Sequence, residues 1–352
     1  MNERLQKARE LVVEAGLKLV RSGLVTRTWG NISARVSDAH FVVTPKGRAY
    51  DTLKPSDIVL MKIDDCSYEG DVKPSSEKGI HAAVYKYRKD VNFVIHTHQL
   101  NASILSVLGE GFNVAKEDKG LLGDYVPNAA YGISSTKKLA RNAAKVIRDN
   151  PGSTAFLLRS HGALSVGASM EEAFNRAFAL ERSSEKEIYR LTDVGSFEEL
   201  RNKYIREFVE EVNFTPKAFA DISIPEEVTA LSKSQHIIYD DSPDFAAVSA
   251  TGKTIYPYID DVAQIVGVSV RSGKIEEAVK NLKGRSAVLV KGVGALCLGV
   301  DEYEAQAVSM ILHKQCLAAM LVALTKKGRS LGQIDSWLQR IVYTRKYSKL
   351  KG

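Results

Sequence analysis

Apolar residues at Leu5, Ala8, Leu11, Val12, Ala15, Leu17, Leu19 and Val20 recur at close to helical spacing and predict a helix over residues 2–21, stopped by Gly23. Short apolar runs bounded by turn residues follow and predict strands within residues 28–36, over 41–44 and over 57–64. Pro74-Ser75-Ser76-Glu77 then opens a helix over 78–89, with Ser75 or Ser76 as the N-cap and Glu77 in the first turn. The run Val91-Asn92-Phe93-Val94-Ile95 reads as a buried strand that ends on His96-Thr97-His98. Further on, the pattern predicts helices over 100–108 and from Ser135 or Thr136 to Asn150, a strand over 154–158, and a long helix over 170–191 capped by Ser169.

Three of these stretches carry candidate chemistry. Residues i and i+2 of a strand point to the same side, so His96 and His98 project together, either to chelate one transition metal or as two solvated histidines. His161, followed by Gly162 at the end of the 154–158 strand, is a natural third ligand position. The loop Pro45-Lys46-Gly47-Arg48 reads equally as an anion-binding turn presenting N–H groups and charge or as a polar hairpin turn. His81, four residues after Glu77, shares its helix face and reads as a packed or supporting residue.

Composition narrows the class. Hydrophobic content of 44% and charged content of 26% are those of a soluble globular chain. The N-terminus is charged and opens a helix, unlike a secretory signal, and no apolar run reads as long enough to span a bilayer. Cys66, Cys297 and Cys316 form neither a disulfide framework nor a metal motif, which fits a reducing cytoplasm. The net charge of +7 is partly concentrated in the last thirty or so residues, where few aromatics accompany the cations, so no nucleic-acid or membrane partner is expected.

Part of the pattern recurs. Ser286-Ala287-Val288-Leu289-Val290 through Gly294-Ala295-Leu296 matches Ser153-Thr154-Ala155-Phe156-Leu157 through Gly162-Ala163-Leu164, and a glycine and a long helix follow in both. Val293 replaces the third histidine, and no second Ser-Ser-Glu or His-x-His occurs, so the second copy should be metal-free. The boundary is expected near Asn213, giving domains 1–212 and 213–352.

Gly30-Asn31-x-Ser33, Thr44-Pro45-x-Gly47, Pro74-Ser75-Ser76-Glu77, His96-x-His98 and His161-Gly162 occur in that order, and the set resembles the class II aldolase/adducin head family. The resemblance covers residues 1–195 and implies a three-layer α/β/α fold with a mostly antiparallel central sheet, here partially duplicated. It implies that His96, His98 and His161 bind zinc or another divalent cation such as manganese or cobalt. Glu77 would be the proton-transferring carboxylate, and Asn31, Lys46, Gly47, Ser75 and Ser76 would line a phosphate pocket. Relatives often carry a small polar residue where Lys46 stands, which leaves the anionic group of the substrate open. The implied activity is a cytoplasmic, metal-dependent aldolase that cleaves a ketose phosphate through an enediolate. The same site in relatives supports 4-epimerase, decarboxylase or dehydratase chemistry, and adducin-type heads are non-catalytic. Family members also form homo-oligomers and take an acid from a neighbouring subunit. No tyrosine or aspartate stands at the required spacing in the first copy, whereas counting back from Val266-Gly267 in the second gives Tyr256 and Asp260 as candidate acids.

Overall fold

A computed structural model describes residues 2–25, 29–211 and 214–347. Thr28, the expected boundary residue Asn213, and the tail cations Lys349 and Lys351 lie outside the described residues. The chain forms two compact units that divide at Glu187/Ile188, earlier than the expected 212/213. The division falls inside a continuous helix, whose last turn belongs to the second unit, so no loop composition marks it.

The first unit begins with α1 (Asn2–Arg21), β1 (Gly30–Arg35), β2 (His40–Val43), β3 (Val59–Lys62) and α2 (Lys78–Tyr87). It continues with β4 (Phe93–Thr97), α3 (Leu100–Ser106), β5 (Phe112–Asn113), α4 (Lys119–Leu122), β6 (Tyr125–Val126) and β7 (Asn128–Ala129). It closes with α5 (Lys137–Asp149), β8 (Ala155–Leu158), β9 (Gly162–Gly167) and α6 (Met170–Thr192). Seven strands form one mixed sheet in the order β3-β2-β1-β4-β9-β8-β7, antiparallel throughout except for the parallel β7–β8 pair.

Alternation along the strands builds a core on each face of this sheet. Phe41, Val43, Val94, Phe156, Leu158, Leu164 and Val166 meet Ile80, Val84, Leu139, Ala143 and Ile147 from α2 and α5. Ile32, Ala34, Val42, Phe93 and Ile95 meet Val12, Ala15, Leu19, Ala173, Phe174 and Ala177 from α1 and α6. The result is helices, sheet, helices, with the central strands apolar on both sides.

The second unit contains α7 (Phe197–Phe208), α8 (Glu226–Thr229), β10 (His236–Asp240), α9 (Pro243–Ala250), β11 (Ser272–Gly273) and α10 (Ala278–Leu282). β12 (Ala287–Val290), β13 (Gly294–Gly299), α11 (Glu302–Thr325) and α12 (Gln333–Val342) complete it. Its sheet runs β10-β13-β12-β11, with β11–β12 parallel and the other pairs antiparallel. One reading of the sequence needs correction here: α11 is long and apolar enough to cross a membrane. Most of it is buried within the fold, with Ile311, Leu312, Cys316, Leu317 and Leu321 fully or almost fully covered, as in a core helix apolar on most sides.

Ile95 is fully buried on the central β4 strand. Ile95→Ala should destabilise the first unit by about 2–5 kcal/mol, read from the shift in its urea-unfolding midpoint.

Candidate metal and substrate site

The antiparallel register of β1 and β4 sets Asn31 opposite His96 and Ser33 opposite Val94. All four lie on the face that looks toward α2. Near the sheet's centre that face is apolar, and at the end of β4 it becomes polar. α2 contributes His81 from its buried face and Glu77 from just before its first turn. His98 lies one residue past β4. His161 arrives from the turn between β8 and β9, where Ser160 adopts φ +58°. A side chain at Gly162 would place its Cβ 2.3 Å from the Thr97 carbonyl oxygen and 3.3–3.4 Å from the rings of His96 and His98. Only glycine lets this turn close on the end of β4.

These elements bring Glu77, His96, His98 and His161 together, all buried, with their candidate ligand atoms within 4.8 Å of one another. His96 Nε2 lies 3.1 Å from His98 Nε2 and 3.2 Å from Glu77 Oε2, and His161 Nε2 lies 3.0 Å from Glu77 Oε1. His96 Nδ1 is 2.8 Å from the Ala163 carbonyl. A carbonyl only accepts, so Nδ1 carries the proton and, in the neutral ring, Nε2 turns a lone pair inward. The His96 lone pair therefore faces the Glu77 carboxylate and the other two rings, and the donor set fits a divalent cation of zinc type, with His96, His98 and His161 as nitrogen ligands and Glu77 beside them.

Behind Glu77 runs a hydrogen-bonded chain with a fixed direction. The Tyr85 hydroxyl meets Ser33 Oγ at 2.8 Å, and Ser33 Oγ meets His81 Nδ1 at 2.6 Å. His81 Nε2 donates to Asn31 Oδ1, and Asn31 Nδ2 donates to Glu77 Oε2 at 3.1 Å. Because Oδ1 can only accept, His81 is protonated on Nε2 and accepts at Nδ1 from Ser33. Ser134 Oγ donates to the other Glu77 oxygen at 3.2 Å. Burial pulls the His81 imidazole down to about 3, the His96 charge adds to this and Glu77 opposes it. Burial raises the Glu77 carboxyl, but His161 and His96 more than reverse that and hold it well below the usual carboxylate range. His96 is itself lowered by burial, against the opposing pull of Glu77.

The expected phosphate residues divide into two groups. Pro45 bridges Pro74, the Lys46 N–H donates to the Lys73 carbonyl at 2.9 Å and the Ser75 N–H to the Thr44 carbonyl at 3.0 Å. Lys46, Gly47, Ser75 and Ser76 thus occupy two loops running side by side. The Lys46 N–H is consumed in joining those loops, so any anion-binding role falls to its side chain. Asn31 instead belongs to the chain that holds Glu77. The expected serine cap does not form: Glu77 takes the N-cap position of α2, and Ser75 Oγ accepts from the Glu77 N–H at 3.2 Å, while Ser76 Oγ accepts from Ser135 Oγ at 2.8 Å. Tyr256 and Asp260 belong to the second unit. Asp260 is fully buried and accepts from Gln339 Nε2 at 3.4 Å, whereas Tyr256 is 46% exposed.

Sequence reasoning missed Ser134 and the Ser33–Tyr85 pair. The alternating polar residues Asn31 and Ser33 on an otherwise apolar strand were an available signal. Ser134 sits in a serine-rich run that reads only as a helix start.

Residues 10–188, just over half of the chain, match the family model described as Class II Aldolase and Adducin N-terminal domain. The chain belongs to this class II aldolase and adducin family. The match ends where the second compact unit begins. A 5-deoxy-D-ribulose 1-phosphate aldolase of Bacillus thuringiensis serovar kurstaki is 35% identical over 178 residues, covering 50% of this chain and 82% of that protein. A methylthioribulose-1-phosphate dehydratase of Pseudomonas syringae pv. syringae is 31% identical over 180 residues, covering 48% and 88%. Among solved structures, an L-fuculose 1-phosphate aldolase is similar with a TM-score of 0.49 and 32% identity, over 55% of this chain and 92% of that one. In this class II aldolase-family chain the five motifs that carry the resemblance all fall inside the matched segment.

The depressed His81 value has a stability consequence. An unfolded histidine takes up a proton below about 6.5, and the folded His81 resists until about 3. Its contribution is full above pH 6.5 and is lost as the pH falls toward 3, by roughly 1.4 kcal/mol per pH unit. Urea unfolding of the metal-free protein at pH 7 and pH 5 should show the loss, and His81→Gln should flatten it.

Proposed function

We propose that the first unit is a metal-dependent aldolase that cleaves a ketose phosphate in the retro-aldol direction. The observation that supports it most is the convergence of three inward-facing histidine nitrogens on the Glu77 carboxylate, all buried. A bound divalent cation, zinc first and manganese or cobalt otherwise, would polarise the substrate carbonyl and offset the negative charge that develops on its oxygen.

The chain's own residues do the rest. The cleavage needs one proton taken from the hydroxyl on the carbon that becomes the aldehyde, and one proton delivered to the carbon released as nucleophile. Glu77 is ionised and oriented by Asn31 and Ser134, which suits it to carry a proton at the carbon next to the carbonyl. The neutral His81, relayed through Asn31, fixes which Glu77 oxygen is tied and which way the carboxylate faces. Lys46, Gly47, Ser75 and Ser76 would receive the substrate phosphate, with hydroxyls and charge in two adjoining loops.

The second unit is read as a degenerate, metal-free copy. The parallel β11–β12 pair and antiparallel β12–β13 pair repeat β7–β8 and β8–β9. Gly294 meets the Asp240 carbonyl as Gly162 meets that of Thr97, with the added Cβ at 2.2 and 2.3 Å. Aligning β10 on β4 by these contacts puts Tyr239, Asp241 and Val293 where the first unit has His96, His98 and His161. This unit would supply the acid. Tyr256 suits that task through its exposed phenol, whereas the buried Asp260 suits a structural one. The active form would be a homo-oligomer, which sedimentation or mass photometry would detect.

Dehydration or 4-epimerisation is the second reading, favoured by the dehydratase among the relatives, because both share the cation and the carboxylate. A non-catalytic, adducin-like role is disfavoured by the intact histidines.

Elemental analysis of protein purified without chelator or His-tag should find about one zinc or similar ion per chain, and His161→Ala should remove most of it. A panel of ketose 1-phosphates should then release a triose phosphate and an aldehyde. Glu77→Gln should lower kcat by about 10²–10⁴ while retaining metal. Intact metal with turnover that yields only epimer or dehydrated product would replace the aldolase reading.

A further inference from the structure

The second unit contains a cavity of about 700 Å³ between the segment leading into β11, the start of β12 and the first turns of α12. Arg271 and Arg285 both line it, together with Ser269, Gln333, Tyr256 and Trp337. No carboxylate lines it, and among the described residues none pairs with either guanidinium. Of the other partly buried arginines, Arg176 pairs with Glu172 and Arg201 with Asp244, while Arg35 and Arg340 spend their donors on backbone carbonyls.

Arg285 is also held in place. Its Nε donates to the Ser269 carbonyl at 2.9 Å, one terminal nitrogen donates to Ser269 Oγ at 2.7 Å, and the other donates to the Lys283 carbonyl at 2.6 Å. Burial lowers its pKa and the neighbouring Arg271 charge adds to that, so the pair repel each other in a setting that a bound anion would relieve. One fixed guanidinium beside a second, neither paired with a carboxylate, is the chemistry of a phosphate site. On α12, Trp337 also lines the cavity and leaves 57% of its surface bare although the same helix buries Ser336 and Gln339. A bare indole beside unbalanced cations is a stacking platform next to a phosphate clamp. Gln333 adds an amide able to pair with the edge of a ring.

We propose that this cavity binds a nucleoside phosphate, with the phosphates on Arg271 and Arg285 and the base against Trp337. Arg271, Arg285 and Trp337 take no part in the reaction assigned to the first unit; of the lining residues only Tyr256, which the proposed binding does not use, is shared with the acid role given above.

The test is calorimetric titration of the full chain, stripped of divalent cations, with ADP and with inorganic pyrophosphate. ADP should bind saturably at one site per chain. Arg271→Ala should weaken both ligands at least tenfold, and Trp337→Ala should weaken ADP about tenfold while leaving pyrophosphate unchanged. His96→Ala, at the other site, should change neither. Circular dichroism confirms that each variant is folded, and Arg271→Lys replaces Arg271→Ala if the latter is not. Absence of saturable ADP binding up to millimolar concentration overturns the proposal. So does binding that survives loss of Arg271, or equal affinity for ADP and pyrophosphate with no response to Trp337→Ala.

Discussion

Three imidazole nitrogens and a carboxylate, all buried within 4.8 Å of one another, form an arrangement that a protein interior resists. Lone pairs and negative charge face each other there with little water to screen them. Such a group needs rigid supports, and it is one that could hold a cation to offset the charge. The supports are visible on every side: the Ala163 carbonyl fixes one ring, Asn31 and Ser134 hold the two oxygens of Glu77, and Gly162 allows the third histidine's turn to press against the end of β4. The rest of the first unit can be understood as the scaffold that keeps these groups converged.

That scaffold works because the sheet is filled on both faces. The α1 and α6 side is lined mainly by apolar side chains and anchors the strands. The α2 and α5 side is largely apolar and turns polar toward the start of β1 and the end of β4, so the polar site borrows its rigidity from the same strands that build the core. The chain from Tyr85 through Ser33, His81 and Asn31 extends that rigidity into hydrogen bonding. Each member has one donor direction available, so the network has a single arrangement, and burial keeps His81 neutral within it.

The second unit also has a β-hairpin followed by a long buried helix, without the polar cluster. Tyr239, Asp241 and Val293 around its hairpin offer no comparable set of nitrogen ligands, and among the described residues the Glu77 group is the one cluster of metal-ligating residues found. Arg271 and Arg285, which no carboxylate balances, line a cavity of their own in this unit.

The sequence by itself determined the elements and the chemistry: the helix over residues 2–21, the strand ending at His96, the third histidine before a glycine, and family membership through motifs in a fixed order. These are local properties, written in hydrophobic period and in residue types that few other roles require. Only the tertiary structure decided how the polar residues divide their work. Asn31 orients the carboxylate because antiparallel register sets it across from His96, and neither serine caps α2 because Ser75 turns to the Glu77 N–H instead. Ser134 reaches Glu77 across 57 residues, and α11 is a core helix although its composition alone would let it cross a membrane. Such pairings depend on distances between segments remote in sequence, which no local pattern encodes.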